Sequence, residues 1–335
     1  MNHSAKLTPE PEVIAPLRAA GFFRYLQRIL PLGRKYHRFI SLFNSRHGLV
    51  AIPFGRFKVV QPASWGSEVA GLLFQGEDLT PEFRLLPPVL KELDVGHLVD
   101  VGANIGLYEL MLRAHSPLPI IAYEPQPFLC ELVRHNVTFN RLPQVDLRHL
   151  ACGAGAGEIF FQTGINGAVV AGDSAEARAA IPAVAPVASF DCRAEDVRSA
   201  RPVIRVPVTT LDRDLGDTPV ALLKIDCEGF EYQILQGALN LLATQRPYLL
   251  VELHPQEIEK HGGTSEQLVA LLRSYYDLEF WDFNLQRHRP RLVRSLLKHR
   301  RPAGYRFASE REMFAACTTP PLPYQVFILA RPRRA

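Results

Sequence analysis

Short apolar runs alternate with amphipathic segments through most of the chain. Apolar runs of strand length predict strands at 49–52, 57–61, 98–102, 120–124, 145–151, 203–209, 221–226, 248–252, 278–283 and 325–330. Apolar residues at helical spacing predict helices at 17–43, 80–93, 105–115, 127–140, 230–243 and 265–275. Thr80 is the expected N-cap of the second helix, with Pro81 as its first residue. Residues 158–161 and 168–170 predict a hairpin, and Pro207 places strand 203–209 at a sheet edge.

Strands that alternate with helices predict an α/β fold with a doubly wound, mainly parallel sheet. We expect an N-terminal extension over residues 1–94, with a disordered start, an amphipathic helix, short strands and a further helix. The sheet domain is then expected over residues 95–335, with a mobile loop at 172–202 and a basic insert at 286–323.

A glycine turn after the first strand of this domain predicts a nucleotide site. The run LVDVGANIG, residues 98–106, is typical of a buried strand, a turn at Gly102 and the start of a helix. Glu124 ends the next strand, about twenty residues later, where such sheets place the carboxylate that binds a ribose diol. The dinucleotide fingerprint G-x-G-x-x-G is missing, and ordinary helix–strand packing also explains a single glycine turn.

Five runs together resemble the FkbM-type family of S-adenosylmethionine-dependent methyltransferases. Their order and spacing match the family over about residues 76–255. The runs are VDVGANIG, AYEP, VTTLD, KIDCEGFE and VELHP. The resemblance implies a Rossmann-like, class I methyltransferase-like sheet and S-adenosyl-L-methionine as the cofactor.

The resemblance also implies where the methyl donor binds. Its methionine end is expected at Asp100, Gly102 and Asn104, with Asp100 as the candidate partner of the amino group and Glu124 as the partner of the ribose. The full predicted donor site is Asp100, Gly102, Ala103, Asn104, Gly106, Glu124 and Pro125. Adenine contacts are not predicted, because residues 151–153 read Ala-Cys-Gly where many related enzymes place an acid–polar pair.

Three polar residues near strand ends are candidates for catalysis: Asp226, Glu228 and His254. Methyl transfer is a direct displacement, and a hydroxyl nucleophile must also lose a proton, which a carboxylate or histidine near the methyl group can accept. Alternatives remain open, because Lys224 with an acid also suits a buried structural pair and His254 also suits a solvent-facing position. The predicted reaction is O-methylation of a hydroxyl on a sugar, glycoconjugate or secondary metabolite.

Two other functions are alternatives to a methyltransferase. One is a nucleotide-cofactor oxidoreductase on a similar sheet, against which the missing glycine argues. The other is a non-catalytic adaptor with the same fold, against which the intact Gly102, Glu124 and Asp226 argue.

Composition narrows the class of protein further. A chain that is 47% hydrophobic and 21% charged is expected to have a packed core. The five cysteines are scattered without a C-x-x-C pair, which argues against a disulfide framework or structural zinc and favours a reducing cytosol. We predict no metal site and no transmembrane segment. The N-terminus lacks the apolar core of a signal peptide, and we therefore predict a cytoplasmic location.

Basic residues concentrate in two segments, although the net charge is only +4. The N-terminal basic segment holds Arg18, Arg24, Arg28, Arg34, Lys35, Arg38 and Arg46, and the C-terminal one holds Arg287, Arg289, Arg291, Arg294, Lys298, Arg300 and Arg301. Solvated helix faces explain such density, and so does an anionic acceptor or a peripheral membrane contact. The helix at 17–43 likewise suits docking on the sheet domain or lying on a membrane surface. Nucleic acid is not an expected partner, because aromatic residues are not interleaved with the basic ones.

Overall fold

The computed structural model describes residues 12–13, 48–164, 167–169, 203–283, 304–318 and 325–333. The predicted helix at 17–43, the loop at 172–202 and both basic segments lie outside the described residues. So does the start that was predicted to be disordered, except Glu12 and Val13, which form a short strand instead. The described residues form two compact units, one up to Leu79 and one from Thr80 onward.

The first unit is built on a small sheet. Its elements are β1 Glu12–Val13, β2 Leu49–Phe54, β3 Phe57–Pro62 and α1 Gly66–Gln75, followed by a 3-10 turn at Gly76–Leu79. β2 and β3 pair antiparallel across a tight turn in which Gly55 has a φ of 54°, and β1 pairs parallel with β2. The two predicted strands are therefore present, whereas α1 was not predicted.

The second unit contains the other strands and helices. Its strands are β4 His97–Val101, β5 Ile120–Tyr123, β6 Val145–Arg148, β7 Ala151–Cys152, β8 Gly157–Gln162, β9 Ala168–Val169, β10 Val203–Thr209, β11 Val220–Ile225, β12 Tyr248–Leu253, β13 Tyr276–Asp282, β14 Tyr305–Arg306 and β15 Val326–Pro332. Its helices are α2 Leu86–Leu90, α3 Leu107–His115, α4 Pro127–Phe139, α5 Leu211–Leu215, α6 Glu231–Gln236, α7 Leu239–Thr244, α8 Pro255–Ile258, α9 Ser265–Arg273 and α10 Glu310–Cys317.

Eight strands form the main sheet, in the order β14-β13-β15-β12-β11-β4-β5-β6. The five strands from β12 to β6 are parallel, and β15 inserts antiparallel between β12 and β13. This is the predicted α/β doubly wound, mainly parallel sheet, and its core is formed by aliphatic residues such as Val99, Leu223 and Leu249 packed against the flanking helices.

A second sheet of four short strands has the order β7-β10-β8-β9. The predicted hairpin of β8 and β9 is present. The prediction of an edge position for 203–209 is wrong, because β10 lies between β7 and β8. Pro207 is tolerated there because β7 pairs only with Val208 and Thr209, beyond the proline.

Three predicted elements are divided in the structure. Residues 80–93 form a 3-10 helix, Pro81–Leu85, and then α2, because Pro87 and Pro88 lack the N–H groups that a continuous helix needs. The predicted N-cap at Thr80 is wrong, since its side chain accepts no hydrogen bond from a helix N–H and its hydroxyl donates to Met111 Sδ instead. Residues 230–243 form α6 and α7, which are separated at Gly237, where a side chain would meet the Gly153 carbonyl oxygen at 2.0 Å. Residues 145–151 divide into β6 and the start of β7.

The predicted basic insert at 286–323 contains regular structure in its described part. β14 pairs antiparallel with β13, and Ser309 caps α10 by accepting a hydrogen bond from the Glu312 N–H. Among the described helices, none combines the length and hydrophobicity needed to cross a bilayer.

Candidate functional site

A cleft opens beyond the carboxyl ends of β4, β5 and β11. Its space is about 650 Å³ with open solvent included. In the sheet, β4 lies between β5, which follows it in the chain, and β11, which comes much later. The direction in which strands are added to the sheet therefore reverses at β4. Doubly wound sheets bind their ligands at such a reversal.

The turn after β4 brings backbone to the floor of this cleft. Gly102 has a φ of 91°, and a Cβ at this position would lie 2.1 Å from the Asp226 carbonyl oxygen. The N–H groups of Gly102 and Ala103 both donate to the Tyr123 carbonyl oxygen, at 3.0 Å. Only glycine therefore lets the turn after β4 approach the end of β11 this closely.

Glu124 lies at the end of β5 and lines the cleft. Its two carboxyl oxygens accept the N–H groups of Asn104 and Gln126, each at 2.9 Å, so it ties the glycine turn to the next loop. Burial raises the pKa of Glu124 to about 8, although these two hydrogen bonds oppose the shift. Each oxygen keeps a further lone pair with which it can accept a hydrogen bond from a ligand hydroxyl.

Beneath the glycine turn lies a buried ion pair. The sheet register places Lys224 beside Asp100, and Lys224 Nζ lies 2.9 Å from Asp100 Oδ1 and 3.7 Å from Asp226 Oδ2. Lys224 also donates to the Gly102 carbonyl oxygen at 3.0 Å. Burial disfavours its charge, but Asp100 and Asp226 outweigh that effect and raise the pKa of Lys224. Asp100 is fully buried, so its partner in this structure is a lysine.

A second layer of buried polar groups covers this pair. The Tyr108 ring lies over Lys224 Nζ, 4.6 Å from the ring centroid, and the Tyr108 hydroxyl donates to Glu82 Oε1 at 2.8 Å. Burial raises the pKa of Glu82 to about 7. Burial and the charge of Asp100 raise the pKa of Glu109, whose side chain is fully buried.

The turn after β11 is strained and organised by Glu231. Glu228 has a φ of 48° and Gly229 a φ of 100°, and a Cβ at Gly229 would lie 2.4 Å from Glu257 Cβ. Glu231 Oε1 accepts the Gly229 N–H at 2.9 Å from a fully buried position. A non-glycine residue in this conformation costs about 1–3 kcal/mol, and such strain is concentrated at functional sites.

His254 follows β12 and is buried among carboxylates. Its Nδ1 lies 2.7 Å from Glu231 Oε1, and its Nε2 lies 3.5 Å from Glu252 Oε1 and 3.7 Å from Glu228 Oε2. Burial alone would lower its pKa, but Glu231 and Glu252 outweigh burial and raise the pKa of His254 to about 12. The interpretation of His254 as solvent-facing is therefore wrong, and an imidazole that keeps its proton at neutral pH is a poor general base.

Acidic groups are crowded at the ends of β11 and β12. The register pairs Ile225 with Val251, so Asp226 and Glu252 follow side by side. Burial and the charge of Asp226 raise the pKa of Glu252 to about 8, and burial raises the pKa of Glu228. One oxygen or nitrogen atom from each of Asp226, Glu252 and His254 lies within 4.8 Å of the others, which is close enough for a shared cation.

The opposite wall of the cleft is apolar and comes largely from the second sheet. Ile159, Phe161 and Val169 of this sheet line the cleft, as do Phe230 and Ile234 near α6. The Gln126 side chain joins the two walls, because it donates to the Gly164 carbonyl oxygen at 3.0 Å and accepts the Gly164 N–H at 2.8 Å.

The structure brings six of the predicted site residues to the cleft: Gly102, Asn104, Glu124, Pro125, Asp226 and Glu228. The other four do not line it. Asp100 lies under the turn, Ala103 packs against Ala122 and Val133, Gly106 precedes α3 with a φ of 86°, and His254 lies beside Glu228.

Several polar residues of the site were not predicted from the sequence. Glu231 lies in the fourth family run, KIDCEGFE, and Glu252 lies in the fifth, VELHP. Their positions in these runs could have identified them as site residues. Glu82, Tyr108 and Glu109 lie in helical segments whose polar residues resemble ordinary surface positions, and only the packing of α3 on the sheet reveals them.

Comparison with known proteins supports the resemblance found in the sequence. The family described as the methyltransferase FkbM domain matches residues 100–299, which is more than half of the chain. No curated protein matches the sequence. This family match decides against the oxidoreductase alternative.

Three solved structures that match the chain are distant from it in sequence. Methyltransferase FkbM from Methylobacillus flagellatus is 15% identical with a TM-score of 0.34, and the match covers 75% of this chain and 57% of that one. An S-adenosylmethionine-dependent O-methyltransferase from Thermotoga maritima is 8% identical with a TM-score of 0.37, over 76% of this chain and 66% of that one. A Streptococcus mutans protein in complex with SAH is 8% identical with a TM-score of 0.33, over 74% and 97%. The chain thus spans less than two thirds of the first two proteins.

Strand order, the glycine turn, the acids at three strand ends and the family match agree with one another. The chain belongs to the FkbM methyltransferase domain family, whose members are S-adenosylmethionine-dependent methyltransferases.

Proposed function

We propose that the protein transfers a methyl group from S-adenosylmethionine to a hydroxyl group of a sugar, glycoconjugate or secondary metabolite. The observation that carries this proposal is the arrangement of one cleft, with Glu124 at one strand end and Asp226 and Glu228 at another. A donor site and a set of proton acceptors thereby share the same opening.

The residues present fit a nucleoside-bearing donor. The backbone of Gly102 lines the cleft, and Glu124 offers oxygens for the two ribose hydroxyls. The apolar wall of Ile159, Phe161 and Phe230 suits a flat base. Bound S-adenosylmethionine supplies a sulfonium-linked methyl group, which is already activated for displacement.

Asp226 lies where an acceptor hydroxyl would have to be oriented. Its side chain is about one third exposed, and it follows the central strand directly beside the glycine turn. Its carboxylate can orient the hydroxyl and assist loss of its proton as the oxygen gains the methyl group. Alignment of the reacting atoms is the rest of the task, because the leaving group needs no further activation.

The test of this function uses a donor labelled in its methyl group. The full chain is incubated with fractionated cell extract, and the label is followed into glycan, lipid, small-molecule and protein fractions. The proposal expects label in a hydroxyl-bearing acceptor as a methyl ether. Label on nitrogen or carbon would contradict O-methylation, and no transfer to any fraction would favour the adaptor.

Glu124→Ala is expected to weaken donor binding by about 1–3 kcal/mol, the scale of hydrogen bonds that involve a charged group. This corresponds to about 5- to 150-fold in Kd, measured by calorimetry with the donor or its demethylated product. The control is Glu131→Ala, an exposed carboxylate on α4 that pairs with Arg134 and should leave the Kd unchanged. Unchanged affinity in Glu124→Ala, with the melting temperature preserved, would remove Glu124 from the donor site.

The two basic segments support a preference for anionic acceptors or surfaces. Their positive charge is expected to produce binding to sulfated glycans or anionic vesicles that weakens as salt is raised from about 0.05 to 0.3 M. The measurement is co-sedimentation or calorimetry at several salt concentrations, with neutral vesicles and unsulfated glycans as controls. Binding that ignores salt, or no binding, would return both segments to ordinary solvated surface.

A further inference from the structure

A group of three side chains at the edge of the cleft has the composition of a metal site. We call Asp226, Glu252 and His254 the strand-end triad; one potential ligand atom from each lies within 4.8 Å of the others. β11 and β12 are adjacent parallel strands, so their carboxyl ends deliver these residues to one place. Two carboxylate oxygens and one imidazole nitrogen form a mixed set that divalent first-row metal ions accept.

The imidazole of His254 is oriented as a ligand would be. Its Nδ1 is bonded to Glu231 Oε1 at 2.7 Å, and the same oxygen accepts the Gly229 N–H. Metal-binding histidines usually donate their second ring N–H to a carboxylate, which fixes the tautomer and the ring orientation. Glu231 supplies that carboxylate from a fully buried position.

The other nitrogen, Nε2, points into the triad. His254 is only 6% exposed, and within the part of the chain that the structure describes its Nε2 makes no hydrogen bond of ordinary length. It lies 3.5 Å from Glu252 Oε1 and 3.7 Å from Glu228 Oε2. Nε2 is thus aimed at the point where the carboxylates converge, and a cation bound there takes the place of the proton that the ring carries in the metal-free protein.

The local charges also leave room for a cation. Asp226, Glu228 and Glu252 bring three carboxyl groups to the same edge, while the nearest lysine, Lys224, lies closer to Asp100 at 2.9 Å than to Asp226 at 3.7 Å. Ligand atoms bound to one ion at about 2.0–2.2 Å are at most about 4.4 Å apart, so only small side-chain rotations are needed.

We propose that Asp226, Glu252 and His254 bind one divalent cation of the manganese type at the edge of the cleft. Three protein ligands leave coordination positions open, as in catalytic metal sites. The role of the cation rests on the proposed function: an acceptor hydroxyl bound to it is oriented and loses its proton more readily. With the cation bound, Asp226 acts on the hydroxyl through the metal, and Glu228 lies alongside to take the proton that Asp226 would otherwise accept, while the oxygen–methyl bond forms and the sulfur–methyl bond breaks.

Binding is tested with Mn²⁺ alone, without donor or acceptor. Electron paramagnetic resonance and equilibrium dialysis on the full chain should give one saturable Mn²⁺ site. Glu252→Gln and His254→Asn should each weaken it at least about tenfold, and Glu231→Gln should weaken it by about 10- to 100-fold through loss of ring orientation. Glu257→Gln is the matched control, because this carboxylate on the adjacent α8 is paired with Lys260 and lies outside the triad.

Three outcomes separate this site from the proposed function. The site would be overturned if the protein showed no saturable Mn²⁺ binding, or if the wild type, Glu252→Gln and His254→Asn bound Mn²⁺ equally. A proton on His254 Nε2 would then be the charge that neutralises the carboxylates. Glu252 is partly exposed, so Glu252→Gln remains informative if His254→Asn fails to fold. Specific Mn²⁺ binding without methyl transfer would keep the site and refute the function, whereas transfer that resists chelation would keep the function and refute the catalytic role of the cation.

Discussion

Asp226→Asn is expected to lower turnover by about 10²- to 10⁴-fold, the usual contribution of a group positioned for proton transfer. The substitution keeps the shape of the side chain and removes its charge. Asp226 lines the cleft, and its backbone touches the glycine turn, which supports the proposal that its carboxylate acts at the transfer step. Donor affinity should change far less than turnover, because the donor is expected to contact Glu124 and the turn instead.

The Asp226→Asn variant is measured in three ways: rate of label incorporation at saturating donor, donor affinity and melting temperature. Glu257→Gln again serves as the control for loss of a nearby carboxylate. A fall in affinity that parallels the fall in rate would make Asp226 an anchor of the donor. Turnover close to that of the wild type would remove Asp226 from the transfer step and leave Glu228 as the better candidate.

Lys224→Met is expected to have the largest effect on stability, a loss of about 3–5 kcal/mol in the free energy of unfolding. The substitution leaves Asp100, which is fully buried, without the cation at 2.9 Å that compensates its charge. It also removes a hydrogen bond to the Gly102 carbonyl oxygen. Urea denaturation measures the loss, and the exposed pair of Lys260 and Glu257 provides the control, because Lys260→Met should cost no more than about 1 kcal/mol.

A double variant identifies the cause of that loss. Lys224→Met combined with Asp100→Leu removes both charges, so it should recover stability relative to Lys224→Met alone. A double variant that is no more stable than the single one would mean that loss of the contact between the Lys224 ammonium group and the Tyr108 ring, rather than the orphaned carboxylate, accounts for the loss.

Local sequence was sufficient for the parts of the site that are made by single turns. Gly102 and Glu124 were predicted because a strand, a turn and a helix start are encoded within a few residues, and both residues line the cleft. The hairpin of β8 and β9 was predicted for the same reason. Their roles toward a donor remain predictions.

Features that depend on distant segments could not be predicted in the same way. Lys224 and Asp100 are 124 positions apart, and only the register of β11 on β4 makes them neighbours. The break between α6 and α7 falls at Gly237, where the carbonyl oxygen of Gly153, from a distant segment, lies too close for any side chain. His254 was open to a solvent-facing interpretation because its sequence neighbours reveal nothing of Glu231, 23 positions earlier.

The two walls of the cleft differ in how freely they can change. The wall of strand ends is fixed, because a side chain at Gly102 would collide with the backbone of β11, and Lys224 holds the same turn from below. The apolar wall from β8 and β9 belongs to a separate small sheet and carries no ionisable group at Ile159, Phe161 or Val169. Selection for new ligands, in nature or in the laboratory, can therefore act on this second wall while the ion pair and the glycine turn stay constant.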